Sequence, residues 1–164
     1  MINLLESYNV HSTSELKPTT MTVMARRGMI TQSIENLDKK INTLSEQIEL
    51  VRQFQRSKPY HDKYKSLSAW KQKEYAKKNA PVLEMYKSVG SQLKLLYPDG
   101  KFPSEMVLDR QRQALYEERE KLYEEYRYLK KEYADLDKAS QTIDDYLVSL
   151  RDEPEQKRKK GELE

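Results

Sequence analysis

The stretch LDRQRQALYEEREKLYEEYRYLKKEYADLDKASQTIDDYLVSL, residues 108–150, carries an apolar side chain at every seventh position: Leu108, Leu115, Leu122, Leu129, Leu136, Ile143 and Leu150. Seven residues make two turns of a slightly underwound helix. These side chains therefore share one seam, while the positions between them, mostly Glu, Lys, Arg and Asp, face water. The spacing predicts a coiled-coil helix over residues 104–151. With Leu at the d position, the a positions are Arg112, Arg119, Tyr126, Tyr133, Ser140 and Leu147, so half of the seam is polar or amphipathic. A more apolar partner lies upstream, where Ile34, Leu37, Ile41, Leu44, Ile48 and Val51 alternate spacings of three and four. The two segments are expected to pair antiparallel within one chain, as a monomeric hairpin. An Ile/Leu seam also suits parallel dimers, so pairing between two chains is the alternative.

Composition agrees with long helices. Of 164 residues, 35% are charged and 37% apolar, and only four are Gly and six Pro, too few for a sheet with many turns. Burial should run as a stripe, with Lys, Arg and Tyr laying their apolar stems beside it. The fold class expected is all-α: an elongated antiparallel coiled-coil hairpin of two long helices with a small helical head between them. There is no Cys, which excludes disulfides, thiolate metal sites and thiol catalysis together. Met1 to Val10 has no basic region leading into an apolar run, and no apolar run reaches bilayer length, so neither a signal peptide nor membrane insertion is expected. A cytoplasmic location is the corresponding expectation.

In chain order, residues 1–18 read as a short opening helix. Ile2, Leu4 and Leu5 give it an apolar face, Ser12 and Glu15 have capping-box spacing, and Pro18 interrupts it. Residues 19–56 read as the first coiled-coil arm, ending near Pro59, because proline disfavours helix at the residue before it. Residues 57–103 read as a small basic head, with helices over 62–65, 69–78 and 82–96. Pro81 is permitted in a first helical turn, and Trp70, the sole Trp, is expected to anchor the head. Tyr97-Pro98-Asp99-Gly100-Lys101-Phe102-Pro103-Ser104 reads as a turn that ends on a capping Ser. Residues 104–151 are the second arm, and the polar residues 152–164 are expected to be a disordered tail.

Charge is concentrated in the head. Between Arg52 and Lys78 stand nine bases (Arg52, Arg56, Lys58, Lys63, Lys65, Lys71, Lys73, Lys77 and Lys78) against Asp62 and Glu74. Tyr60, Tyr64, Trp70 and Tyr75 are interleaved with them. Cations release counterions from nucleic acid and aromatic rings stack on exposed bases, so these nine residues are the candidate DNA contacts, of a non-specific kind. The structural alternative is a solvated helical surface whose lysines pair with Glu of the arms. The second arm, with twelve acids and nine bases between Ser104 and Arg151, is slightly acidic.

No constellation for catalysis is visible. The two histidines, His11 and His61, lie fifty residues apart, which leaves no His-x-His or HExxH metal site. Gly at positions 28, 90, 100 and 161 cannot form a phosphate-cradling loop. The carboxylates and most tyrosines have helical-face positions that packing or solvation explains. The chain is therefore expected not to be an enzyme, and no metal or cofactor is expected.

The order of the parts carries a resemblance. Leu4-Leu5-Glu6-Ser7-Tyr8-Asn9-Val10-His11-Ser12 is followed by Glu15-Leu16, then by a long amphipathic helix and a basic, Tyr-rich middle. After these come the turn at residues 97–104 and the runs Leu122-Tyr123-Glu124-Glu125-Tyr126-Arg127 and Leu129-Lys130-Lys131-Glu132. Together they resemble the C-terminal helical region of relaxases, the mobilization proteins of conjugative and mobilizable elements in Gram-positive bacteria. The similarity spans roughly residues 1–150. In that family an N-terminal nuclease domain, with metal-binding histidines and a nucleophilic Tyr, nicks DNA at the transfer origin. No residue of this sequence matches those groups, so no catalytic role carries over; a longer parent protein would be the DNA-nicking relaxase. The resemblance implies an accessory role in conjugative transfer, holding DNA or docking to relaxosome and coupling proteins. A free-standing coiled-coil adaptor with protein partners only is the competing expectation.

Overall fold

The computed structural model describes the backbone of residues 13–161 and the side chains of residues 15–151. The described residues are all-α: α1 (Thr13–Ser66), α2 (Ala69–Lys78), α3 (Ala80–Leu96) and α4 (Glu105–Gly161). The chain forms two compact units, Met1–Glu35 with Glu120–Glu164, and Asn36–Arg119. In each, a segment of α1 lies antiparallel to a segment of α4, the pairing expected from the two heptad seams.

In the first unit, Leu16, Val23, Ile30 and Ile34 of α1 are buried against Leu129, Leu136 and Ala139 of α4. Leu16, Val23 and Ile30 are themselves seven apart, and Leu37 continues the series, so the α1 seam begins more than two heptads before the Ile-rich run that announces it. Tyr126 and Tyr133, polar intruders at a positions, are accommodated by Arg27. Its guanidinium carbon lies 5.9 Å from one ring centroid and 5.2 Å from the other, where the negative face of each ring attracts the cation. Beside the seam Arg26 donates to Glu125 Oε1 at 2.5 Å.

Pro18 does not separate two helices, contrary to the sequence reading. Residues 13–18 belong to α1, and the part of the expected opening helix over residues 1–12 lies outside the described residues. Pro18 forgoes one backbone hydrogen bond, and buried Leu16 and Val23 hold the segment on α4. The hydroxyls of Thr19, Thr20 and Thr22 donate to the carbonyls of Glu15, Leu16 and Pro18 at 2.8, 2.9 and 3.0 Å. At its other end the α4 backbone is helical to Gly161, through residues assigned to a disordered tail; the Glu, Gln, Lys and Arg of this stretch are good helix formers. The seam is no longer buried there, since Leu147 and Leu150 are exposed.

In the second unit, Ile48, Val51, Val89, Leu93 and Leu108 form the core, each fully buried aliphatic contributing about 1.5–3 kcal/mol. Leu44, Leu50, Phe54, Tyr97 and Phe102 pack around it. The turn has the expected chemistry. Gly100 takes φ +72° and donates its N–H to Tyr97 O at 2.9 Å, the Lys101 N–H donates to Asp99 Oδ1, and Ser104 Oγ accepts from the Val107 N–H. The Arg residues at a positions end on partners in α1, Arg112 on Ser45 Oγ and Arg119 on Asp38 Oδ1.

Two expectations for this unit are corrected. Helix α1 does not stop near Pro59 but continues to Ser66, absorbing the short helix read over 62–65. Phe54 and His61, two turns apart on either side of Pro59, both stack with Tyr86 of α3, and this aromatic contact outweighs the lost hydrogen bond at the proline. Trp70 is no anchor: it is 69% exposed, and α2 has no buried residue.

Candidate nucleic-acid interface

Helix α2 is held from one side only. Gln72 Nε2 donates to the Tyr64 carbonyl of α1 at 3.1 Å, and Tyr75 and Ala76 are half-buried, while Asn79 Nδ2 closes the helix's own last turn on the Tyr75 carbonyl at 3.0 Å. Everything else on the helix faces outward. Trp70, Lys73, Glu74 and Lys77 stand at i, i+3, i+4 and i+7 on one face, with Lys71 and Lys78 on the adjoining strip, and all six are exposed. The outer surface of α2 is thus four lysines, one carboxylate and an indole.

The nine candidate contacts do not fall in one place. Lys71, Lys73, Lys77 and Lys78 share α2. Lys63 and Lys65 lie in the last turn of α1, where the helix dipole also favours cations, and Lys63 Nζ sits 5.7 Å from the Tyr75 ring centroid. Lys58 is exposed on α1. Arg56 lines an open cleft at the α2–α3 corner, with Tyr60 and Lys78. Arg52 stands apart: it donates to Glu105 Oε1 through Nε at 3.0 Å and Nη2 at 2.6 Å, and is 3.5 Å from Glu49. The hydrogen bond to Glu105, and then the charge of that carboxylate, raise the Arg52 pKa further. Its charge is committed to joining α1 to the start of α4.

Asn79 joins this region without having been singled out from sequence. It is the N-cap of α3, and the pattern Asn-Ala-Pro, with Pro81 just inside the helix, is the signal that was available. Among the described residues no group of three or more His, Cys, Asp or Glu could hold a metal ion. No helix is long and apolar enough to cross a membrane, among the same residues. Comparison with protein-family models, with curated proteins and with solved structures found no match to this chain.

Proposed function

We propose that this chain is a non-catalytic helical region of a relaxase or mobilization protein in conjugative DNA transfer, and that it holds DNA through the basic surface of its second unit. The observation that carries the proposal is the outward face of α2, where Lys71, Lys73, Lys77 and Lys78 flank an exposed Trp70 with a single Glu among them. Of its apolar side chains the helix turns only half-buried Tyr75 and Ala76 toward the fold, and an exposed indole among lysines is suited to stacking on a base while the ammonium groups meet phosphates. The order of the sequence motifs supports the relaxase context, and docking to relaxosome or coupling proteins belongs to the same proposal.

The sole Trp makes the test direct. Titration of the full chain with short single- and double-stranded oligonucleotides should quench Trp70 emission saturably, with little sequence preference and with affinity falling steeply as salt rises. Replacing Lys71, Lys73 and Lys77 by Glu should abolish the quench. No saturable binding by the wild-type chain at low salt would end the proposal.

A further inference from the structure

Residues of α1 and the α2–α3 corner line an open cleft of about 540 Å³, to which Arg56, Tyr60, Lys78, Asn79, Pro81 and Val82 contribute. Two cations face it and no carboxylate does. Several arginines of this protein are engaged: Arg26, Arg52, Arg112, Arg119 and Arg127 in ion pairs, and Arg27 against tyrosine rings. Arg56, one turn beyond Arg52, has no ion-pair partner among the described residues, and neither has Lys78. The Tyr60 hydroxyl likewise has no hydrogen-bond partner among them. Tyr60 follows Arg56 by four residues, so both project from the same face of α1. Asn79, Pro81 and Val82 of the lining belong to the start of the seventeen-residue helix α3, which has no side-chain cap; Pro81 has no N–H and Leu83 donates to the Asn79 carbonyl, so the Ala80 and Val82 N–H groups, with the dipole behind them, are what this first turn offers an anion.

We infer that this cleft seats a phosphate group of a bound single strand, with the Arg56 fork and the Lys78 ammonium supplying charge and the Tyr60 hydroxyl donating a hydrogen bond. The inference rests on the proposal that the chain binds DNA, and it makes that proposal specific: the α2 face would supply diffuse attraction and stacking, and the cleft one fixed phosphate position. Guanidinium binds two phosphate oxygens at once, whereas ammonium acts as a point charge, so the cleft discriminates Arg from Lys where a merely basic surface would not.

The test therefore uses substitutions that keep the charge. With the full chain and a twelve-nucleotide oligothymidylate followed by Trp70 emission, Arg56→Lys and Tyr60→Phe should each weaken binding about threefold to tenfold. Neither should change the salt dependence, whereas Arg56→Gln should also lower the slope of log affinity against log salt by about 0.7. Wild-type affinity in both charge-keeping variants would overturn the cleft and leave the α2 surface as the whole site. A second arm is independent of DNA: pyrophosphate added to isotopically labelled full chain should shift the backbone amide resonances of Asn79, Ala80, Val82 and Leu83 saturably, and less so in Arg56→Gln. If the wild-type chain binds no oligonucleotide but these amides respond, the DNA proposal falls while the phosphate site stands. If the amides do not respond, the site falls whatever the oligonucleotide result.

Discussion

The imidazole of His61 lies on the ring of Tyr86, with centroids 4.0 Å apart and planes inclined by 16°. Phe54 stacks with the same Tyr at 4.9 Å. Three rings from two helices thus bracket Pro59 and hold α1 in helix across a residue that ordinarily ends one. Tyr86→Ala should cost about 2–3 kcal/mol, below the usual value for a fully buried ring because Tyr86 is half-buried. Amide exchange over residues 60–66 should accelerate more than over 40–50. Uniform exchange along α1 in this variant would show that something other than the stack carries the helix past the proline.

Glu132 is 6% exposed and its Oε2 has no hydrogen-bond partner. It stands seven residues from Glu125, on the flank where Glu125 meets Arg26, and by the same register its opposite number is Thr19, which offers no charge. Burial, and then the neighbouring charge of Asp135, raise the carboxyl above its ordinary value of 4.5. A carboxyl that holds its proton more tightly when folded favours the folded state while protonated. That contribution is lost as pH rises from about 4.5 through the folded value. Glu132→Gln should accordingly raise stability at pH 7 by about 1 kcal/mol, with the difference from wild type vanishing below pH 4. Denaturant melts across this range decide it; a variant less stable than wild type at pH 7 would mean that the carboxylate is satisfied in solution.

Two glycines should respond in opposite directions. Gly100 has φ +72°, so Gly100→Ala strains the turn between α3 and α4 and should cost about 1–2 kcal/mol. Gly28 lies within α1 with nothing within 4 Å of an added Cβ, and Gly28→Ala should stabilise by about 0.5–1 kcal/mol. Thermal unfolding of the two variants, with the signs reversed, would contradict the backbone assignment at both positions.

Sedimentation at micromolar concentration should give the mass of one chain, about 19.5 kDa, because the buried part of each seam is paired within the molecule. A mass twice as large would place the pairing between chains.

Trp70→Ala should leave the unfolding free energy within about 0.5 kcal/mol of wild type, as expected for an exposed side chain. A large loss would restore the anchoring role that its rarity suggests. This residue also marks where the sequence stops being legible. The heptads of α4, the span of α2 and the chemistry of residues 97–104 could be read because each is written in local spacing or in a single residue's backbone preference. The continuation through Pro18 and Pro59 could not, because it depends on Leu16, Val23 and Tyr86 meeting residues distant in the chain. Nor could rarity say whether an indole faces in or out, since α2 lacks the apolar period that would have fixed its orientation. Arg56 and Lys78 were visible as cations suited to phosphate and Tyr60 as a ring suited to stacking on a base; only tertiary folding brings Lys78 to the face that Arg56 and Tyr60 share.

Arg52 and Arg56 are neighbours on one helix, yet the first closes a joint with Glu105 and the second faces an open cleft. A scanning screen scored by lost affinity alone would credit both as ligand contacts. Arg52→Ala would depress binding by loosening the start of α4, so its melting temperature should fall and its residual binding should recover on cooling or in a stabilised background. Arg56→Ala should keep the melting temperature and show no such rescue. Counted as charges the two are equal; sorted by rescue, one belongs to the scaffold and the other to whatever the scaffold holds.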